Sequence, residues 1–266
     1  MKKSVLTMIA LLTVSTAAMA QGIETFTVNG VPFKMVRVDG GTFKMGTTPE
    51  QGEVLVPEPI REVTVGTFYI GETEVTQGLW KAVMGTNPAV FQHQVTGITK
   101  HLPVENVSWQ DCKEFIKKLN KLTNKKFRLP TEEEWEYAAR GGKNGKATRF
   151  AGSNNIEEIG WYAQNSGNKH LSKNWSRQDL RENECKTHIV AQKAPNELGI
   201  YDMTGNVEEI TNSKYTRSSS KSEHNKYIVK GGCYSYTADN CAISRIGVIS
   251  PKDKFSEWGF RLVLTE

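Results

Sequence analysis

Histidine and cysteine are scarce in this 266-residue sequence, at five and four residues, and neither type forms a closely spaced ligand pair. No His-Glu-x-x-His or His-x-x-Glu-His run occurs, so the common zinc-hydrolase signatures are excluded. His93, His101, His170, His188 and His224 are too dispersed to read as an iron-binding set. Charge of one sign is lacking too. Once Lys2 and Lys3 are set aside, 32 Lys plus Arg stand against 29 Asp plus Glu, a balance of +3, and nothing in it demands nucleic acid. The basic excess sits mainly in a loop from Lys214 to Lys226, which reads as a solvated segment. Beyond the first 20 residues no apolar run approaches the roughly 20 that a spanning helix needs. There is no repeat of fixed period and no long low-complexity tract.

The chain's opening is the exception to that lack of apolar runs. Lys2 and Lys3 precede an apolar stretch from Val5 to Val14 and a small-residue end at Ala18-Met19-Ala20, the grammar of a cleavable secretory signal. We therefore expect residues 1–20 to be a signal peptide, 21–32 a lead-in, and 33–266 one domain acting outside the cytoplasm, at the periplasm, the cell surface or beyond. The 246 residues after the signal suffice for one large core. In an oxidising compartment Cys112, Cys185, Cys233 and Cys241 allow one or two disulfides in several pairings. Cys112 shares helical spacing with Trp109, Ile116 and Leu119, which places its thiol inward.

Alternation through Met35-Val36-Arg37-Val38, a turn at Gly40-Gly41 and resumption at Thr42 to Met45 predict a hairpin. One strand is expected over Glu62 to Ile70. A short helix through Leu79-Trp80-Val83-Met84 is stopped by Gly85, and another starts behind Ser108. In Arg128-Leu129-Pro130-Thr131-Glu132-Glu133-Glu134-Trp135-Glu136, Thr131 and Glu134 form a capping box and the acids favour the first turn. They read as a helix start rather than a carboxylate active site. Periodicity then fades until Tyr227, and so long an irregular half needs a function or a staple. Strands return at Tyr227-Ile228-Val229 and Phe260 to Leu264.

Blocks in order along the chain carry a resemblance: Gly40 to Gly46, Glu74-Val75-Thr76-Gln77, Pro103-Val104 with Val107-Ser108-Trp109, Arg128 to Glu136, Asn196 to Val207, Lys230-Gly231-Gly232, and Gly259-Phe260-Arg261. Together they resemble the sulfatase-modifying-factor family of formylglycine-generating enzymes, from about Phe33 to Leu264. The resemblance implies a single α+β domain, related to C-type lectins and poor in regular structure. It also implies oxidation of a sulfatase cysteine to formylglycine with oxygen, copper and two cysteines.

The family's two cysteines, five residues apart, fall here on Tyr236 and Cys241. A phenol in place of one thiolate removes a soft copper ligand and half of a redox couple. Cys233 supplies a sulfur at the family's serine position, but eight extended residues separate it from Cys241 by about 26 Å, so only an intervening turn would bring them together. Copper is therefore disfavoured. Calcium is implied at Asp202, Gly205, Val207 and Glu209, which match a family loop offering the hard oxygens this ion takes.

The expected function is that of a non-catalytic or divergent exported member presenting a surface to a protein or glycan, with no nucleic acid. Tyr234, Tyr236 and Trp258, beside Cys233, would either line that surface or belong to the core. A sulfatase-cysteine oxidase and a structural subunit of an envelope complex are the alternatives. The polar stretch from Lys169 to Lys186 reads as an insertion that could reshape the surface beside the groove.

Overall fold

Helices form where caps and apolar spacing agree. In the computed structural model, which describes residues 22–54, 56–92, 97–217 and 225–265, α1 runs Gln77–Met84 between the Thr76 cap and a left-handed Gly85. Helix α2 runs Trp109–Thr123 behind a Ser108–Asp111 capping box and buries Cys112, Phe115, Ile116 and Leu119. Helix α3, Glu132–Ala139, carries the expected Thr131–Glu134 box. Two short helices, α4 (Ile156–Ile159) and α5 (Arg177–Glu182), interrupt the irregular half. None of the described helices is long and apolar enough to cross a membrane. The predicted signal, His93 and His224 lie outside the described residues.

Eleven strands among the described residues make three sheets. The five-stranded one has the order β1-β2-β5-β11-β6, the four-stranded one β10-β7-β8-β9, and β3 pairs with β4. Strand β1 (Ile23–Val28) pairs antiparallel with β2 (Val31–Val38), so the segment set apart as a lead-in is built into the domain. The predicted hairpin is not one. Strand β2 pairs with β1 and β5 (Phe68–Gly71), while β3 (Gly41–Met45) leaves to pair with β4 (Arg61–Val65). At Gly40 the chain changes sheets against the backbone of the β4–β5 turn, and a Cβ there would lie 2.6 Å from Val65 O. The same turn, at Gly66-Thr67, divides into two the strand expected over Glu62 to Ile70. At the far end, β6 is Phe127–Arg128, β10 Trp258–Gly259 and β11 Val263–Thr265.

The main core lies where α1 and α2 meet both large sheets. Trp80 stacks on Phe115 at 5.1 Å, and Phe260 meets Phe115 edge-on at 5.4 Å. A second cluster surrounds Trp135, with Ile70, Ala138, Met203 and Val263. The four-stranded sheet comprises β7 (Glu208–Lys214), β8 (Tyr227–Lys230) and β9 (Ile246–Ile249) with β10. Its β10 end and the segment after β8 form the floor of the site.

Candidate functional site

After β8, Gly231 and Gly232 adopt left-handed backbone angles, and the chain turns at Cys233, whose carbonyl accepts from Tyr236 N at 3.1 Å. A short 3-10 turn at Ala238–Cys241 brings the chain back. The return is so close that a Cβ on Gly232 would lie 2.5 Å from Cys241 Sγ, which is why glycine stands there. The fold thus supplies the turn that a Cys233–Cys241 approach requires. It does not join them: all four cysteines are free and buried. The disulfides allowed by the cysteine count are absent among the described residues. Cys233 packs with Leu171, Cys185 and Tyr234, whereas Cys241 packs with Phe150, Ile156, Ile159 and Tyr162.

These surroundings bear on whether the residues fit copper. Burial, reinforced by the nearby Glu208 carboxylate, pushes both the Cys233 and Cys241 thiols up, and a thiol that resists ionisation is a poor ligand and nucleophile. At the partner position, Tyr236 points its hydroxyl toward Glu208 Oε2, 3.5 Å away. The Glu208 charge, followed by burial, holds that phenol above its ordinary value. The residues present do not fit a cuprous ion bound by two thiolates.

Above the turn opens a cavity of about 910 Å³. Six aromatic side chains line it: Phe91, Trp175, Tyr234, Tyr236, Phe255 and Trp258. Tyr234, Tyr236 and Trp258 lie together along this cavity, and Cys233 packs beneath the two tyrosines. Tyr234 meets Phe91 edge-on at 5.2 Å and its hydroxyl lies 3.0 Å from Ser256 Oγ, while Trp258 meets Phe255 at 4.7 Å. The rings are therefore both packed and presented. Trp258 Nε1 donates to Glu208 Oε2 at 3.2 Å, and Glu208, buried beneath, is pushed up to about 7 chiefly by burial. One wall comes from the predicted insertion, through Trp175 and the α5 residues Arg177, Leu180 and Arg181, and Glu257 also lines the cavity.

Sequence reasoning missed Phe91, Trp175, Phe255 and Glu208, which sit in loops or at a strand start without periodic signal. It also missed Glu105, which is fully buried. Glu105 Oε1 accepts from Phe91 N at 2.8 Å and so holds that ring's loop, while Oε2 has no partner among the described residues. Burial raises this carboxyl to about 7. A carboxyl raised in the folded state costs no stability below its unfolded value near 4.5. The cost grows as pH rises toward 7 and is then constant, at up to about 3 kcal/mol. Glu105→Gln keeps the acceptor for Phe91 and removes the charge. Urea unfolding is expected to show it about 1–3 kcal/mol more stable than the parent at pH 8, with the gain gone near pH 4.5. A gain that is the same at both pH values would disprove this account.

The residues matched to a calcium loop are arranged differently from that expectation. Asp202 and Glu209 are both buried, and both act on Arg261. Glu209 accepts from Arg261 Nε at 2.7 Å and Nη2 at 2.6 Å and from Trp135 Nε1 at 2.7 Å. A guanidinium occupies its carboxylate, so the set does not fit a calcium held through Glu209. Gly205 is packed against Trp161 by a backbone bridge, and Val207 is fully buried. Asp202 Oδ2 accepts from Ala191 N at 2.7 Å, while its Oδ1 and Glu74 Oε2 have no partner among the described residues. Those residues contain no cluster of three or more His, Cys, Asp or Glu able to hold a metal. The α3 acids are likewise tied up in ion pairs: Glu136 with Lys230 and Arg140, and Glu132 with Arg217. Arg217, in the loop expected to be merely solvated, also reaches Glu58.

Fold and site together define a mixed α/β domain in which an aromatic cavity overlies a turn that holds two buried, unjoined thiols. The chain belongs to the sulfatase-modifying-factor family: the family model described as "Sulfatase-modifying factor enzyme 1-like domain" matches residues 21–266. It is similar to the chaperone protein LppX of Paenibacillus barcinonensis, 32% identical over 262 residues, covering 86% of this chain and 88% of that protein. It is also similar to the inactive C-alpha-formylglycine-generating enzyme 2 of Bos taurus, 28% identical over 286 residues and 88% of each chain. Among solved structures, Treponema denticola variable protein 1 superposes with a TM-score of 0.75 at 28% identity, over 92% of this chain and 99% of that one.

Proposed function

We propose that this chain is an exported, non-catalytic binding member of its family, whose aromatic cavity takes a segment of another exported protein. The observation that carries the reading is six aromatic rings over a position where one sulfur of the family's pair is a phenol and the other a buried, un-ionised thiol. Large rings give contact area at low entropic cost and dominate protein recognition. Arg177 and Arg181 on one wall, with Glu257 elsewhere around the cavity, give a bound peptide a direction. Relatives named as a chaperone and as an inactive enzyme fit a binding role, and stand beside others named formylglycine-generating enzyme.

Selection of peptides from a display library on the mature protein tests the reading, with oligosaccharides run in parallel. Peptides that compete with one another and lose affinity in a cavity variant are expected. Binding of oligosaccharides alone would replace the protein segment by a glycan. The oxidase alternative is tested by offering a copper-loaded preparation a peptide containing Cys-x-Pro-x-Arg and seeking the aldehyde by mass spectrometry. No conversion is expected, and turnover that disappears in Cys241→Ser would overturn the proposal.

A further inference from the structure

Helix α2 buries one face and exposes a basic one. Between residues 113 and 126 the sequence has six lysines, no arginine and a single acid, Glu114. Lys113, Lys117 and Lys121 follow one another at four-residue spacing, a row of roughly 12 Å, opposite the buried Cys112, Phe115, Ile116 and Leu119. Lys118 stands beside the row, and Lys125 and Lys126 follow the left-handed Asn124 that ends the helix. Lys117, Lys118, Lys121, Lys125 and Lys126 are exposed and make no ion pair among the described residues. Lys113 lies over the Trp109 ring at 5.5 Å and Lys125 over Phe26 at 5.8 Å. The acid at the start of the helix, Asp111, is already held by Lys254 at 2.8 Å.

Like charges four residues apart on a helix repel and weaken it, so this row opposes the helix that bears it. We propose that the outer face of α2 docks on an anionic bilayer surface. The composition favours that occupant. Arginine forks recognise individual carboxylates and phosphates, whereas lysines act as compact, hydrated point charges suited to a laterally mobile field of head groups. No apolar side chain needs to insert, since the inward face of α2 is committed to the core. Docking would also orient the cavity. The segment carrying Phe255, Glu257 and Trp258 is tied to the start of α2 by Gln110 N to Pro251 O at 3.1 Å and Asn106 N to Phe255 O at 3.0 Å.

The test is co-sedimentation of the mature protein with phosphatidylcholine vesicles containing or lacking phosphatidylglycerol, at low and high salt. Binding only to the anionic vesicles, lost at high salt as the charges are screened, is expected. Each lysine near such a surface is worth about fivefold in partition, so Lys117→Gln/Lys118→Gln/Lys121→Gln should lower partition about 100-fold. The triple variant should unfold at the same or a higher temperature than the parent, because its row no longer repels itself. Equal binding to both vesicle types, or anionic binding that survives the triple substitution, would overturn the proposal. So would tight binding to soluble heparin without any to vesicles, which would identify a dissolved polyanion instead.

Discussion

Arg261→Met is expected to lower the free energy of unfolding by about 3–5 kcal/mol, the usual cost of stripping one partner from a buried ion pair. Arg261 is completely buried. Besides Glu209, it donates to Gly71 O through Nη1 and to Tyr201 O through Nη2, each at 2.9 Å. One guanidinium thus joins β5, β7, the segment before β11 and the loop at Tyr201, while Trp135 of α3 closes on the same Glu209. Its loss leaves Glu74, Asp202 and Glu209 buried without the cation that offsets them. Arg261→Lys should recover only part of the loss, since an ammonium cannot reproduce the fork. Glu209→Leu combined with Arg261→Met should be less damaging than the sum of the two single changes, because it leaves neither charge of the pair unpaired. Urea unfolding followed by circular dichroism measures all of these. A loss below about 1 kcal/mol for Arg261→Met would show that the pair is not the lock described here.

Trp258→Ala should have the largest effect on binding, weakening a cavity-selected peptide by about 30-fold, the scale of an aromatic hot spot. The indole is half-buried, packed on Phe255 and anchored through Nε1 to Glu208, so its face is held ready before any ligand arrives. Trp258→Phe keeps an aromatic face and loses the anchor, and an intermediate affinity is expected. Because Trp258 also touches the main core, Trp175→Ala is the companion variant. It removes a ring on the insertion wall and should weaken binding at least about fivefold. Isothermal titration of the two alanine variants, after their folding has been verified, decides the matter. Affinity within twofold of the parent in both would empty the cavity of its proposed role.

Local chemistry was legible in the sequence where one short segment contains its own instructions. Ser108, Thr131 with Glu134, and Gly85 announce where three helices start or stop, and each does so in the structure. Sheet membership was not legible, since alternation on either side of Gly40 shows two strands without showing that they pair elsewhere. The site was half visible. Tyr234 and Tyr236 follow the Gly231-Gly232 block and Trp258 precedes the Gly259 block, and the insertion was marked by its polarity, but Phe91 and Phe255 reach the cavity through loops. The partner of Glu209 is 52 residues away in the chain. Spacing rules of a few residues do not see it, and the calcium loop was the reading available without it.

Strand β11 lies inside the five-stranded sheet, flanked by β5 and β6, although it comes last in the described chain. A ribosome therefore cannot deliver a finished domain in stages. Until residues 263–265 have been made, β5 and β6 have no strand between them, and Val263 and Leu264 are missing from the clusters they complete. Such late, long-range closure slows folding.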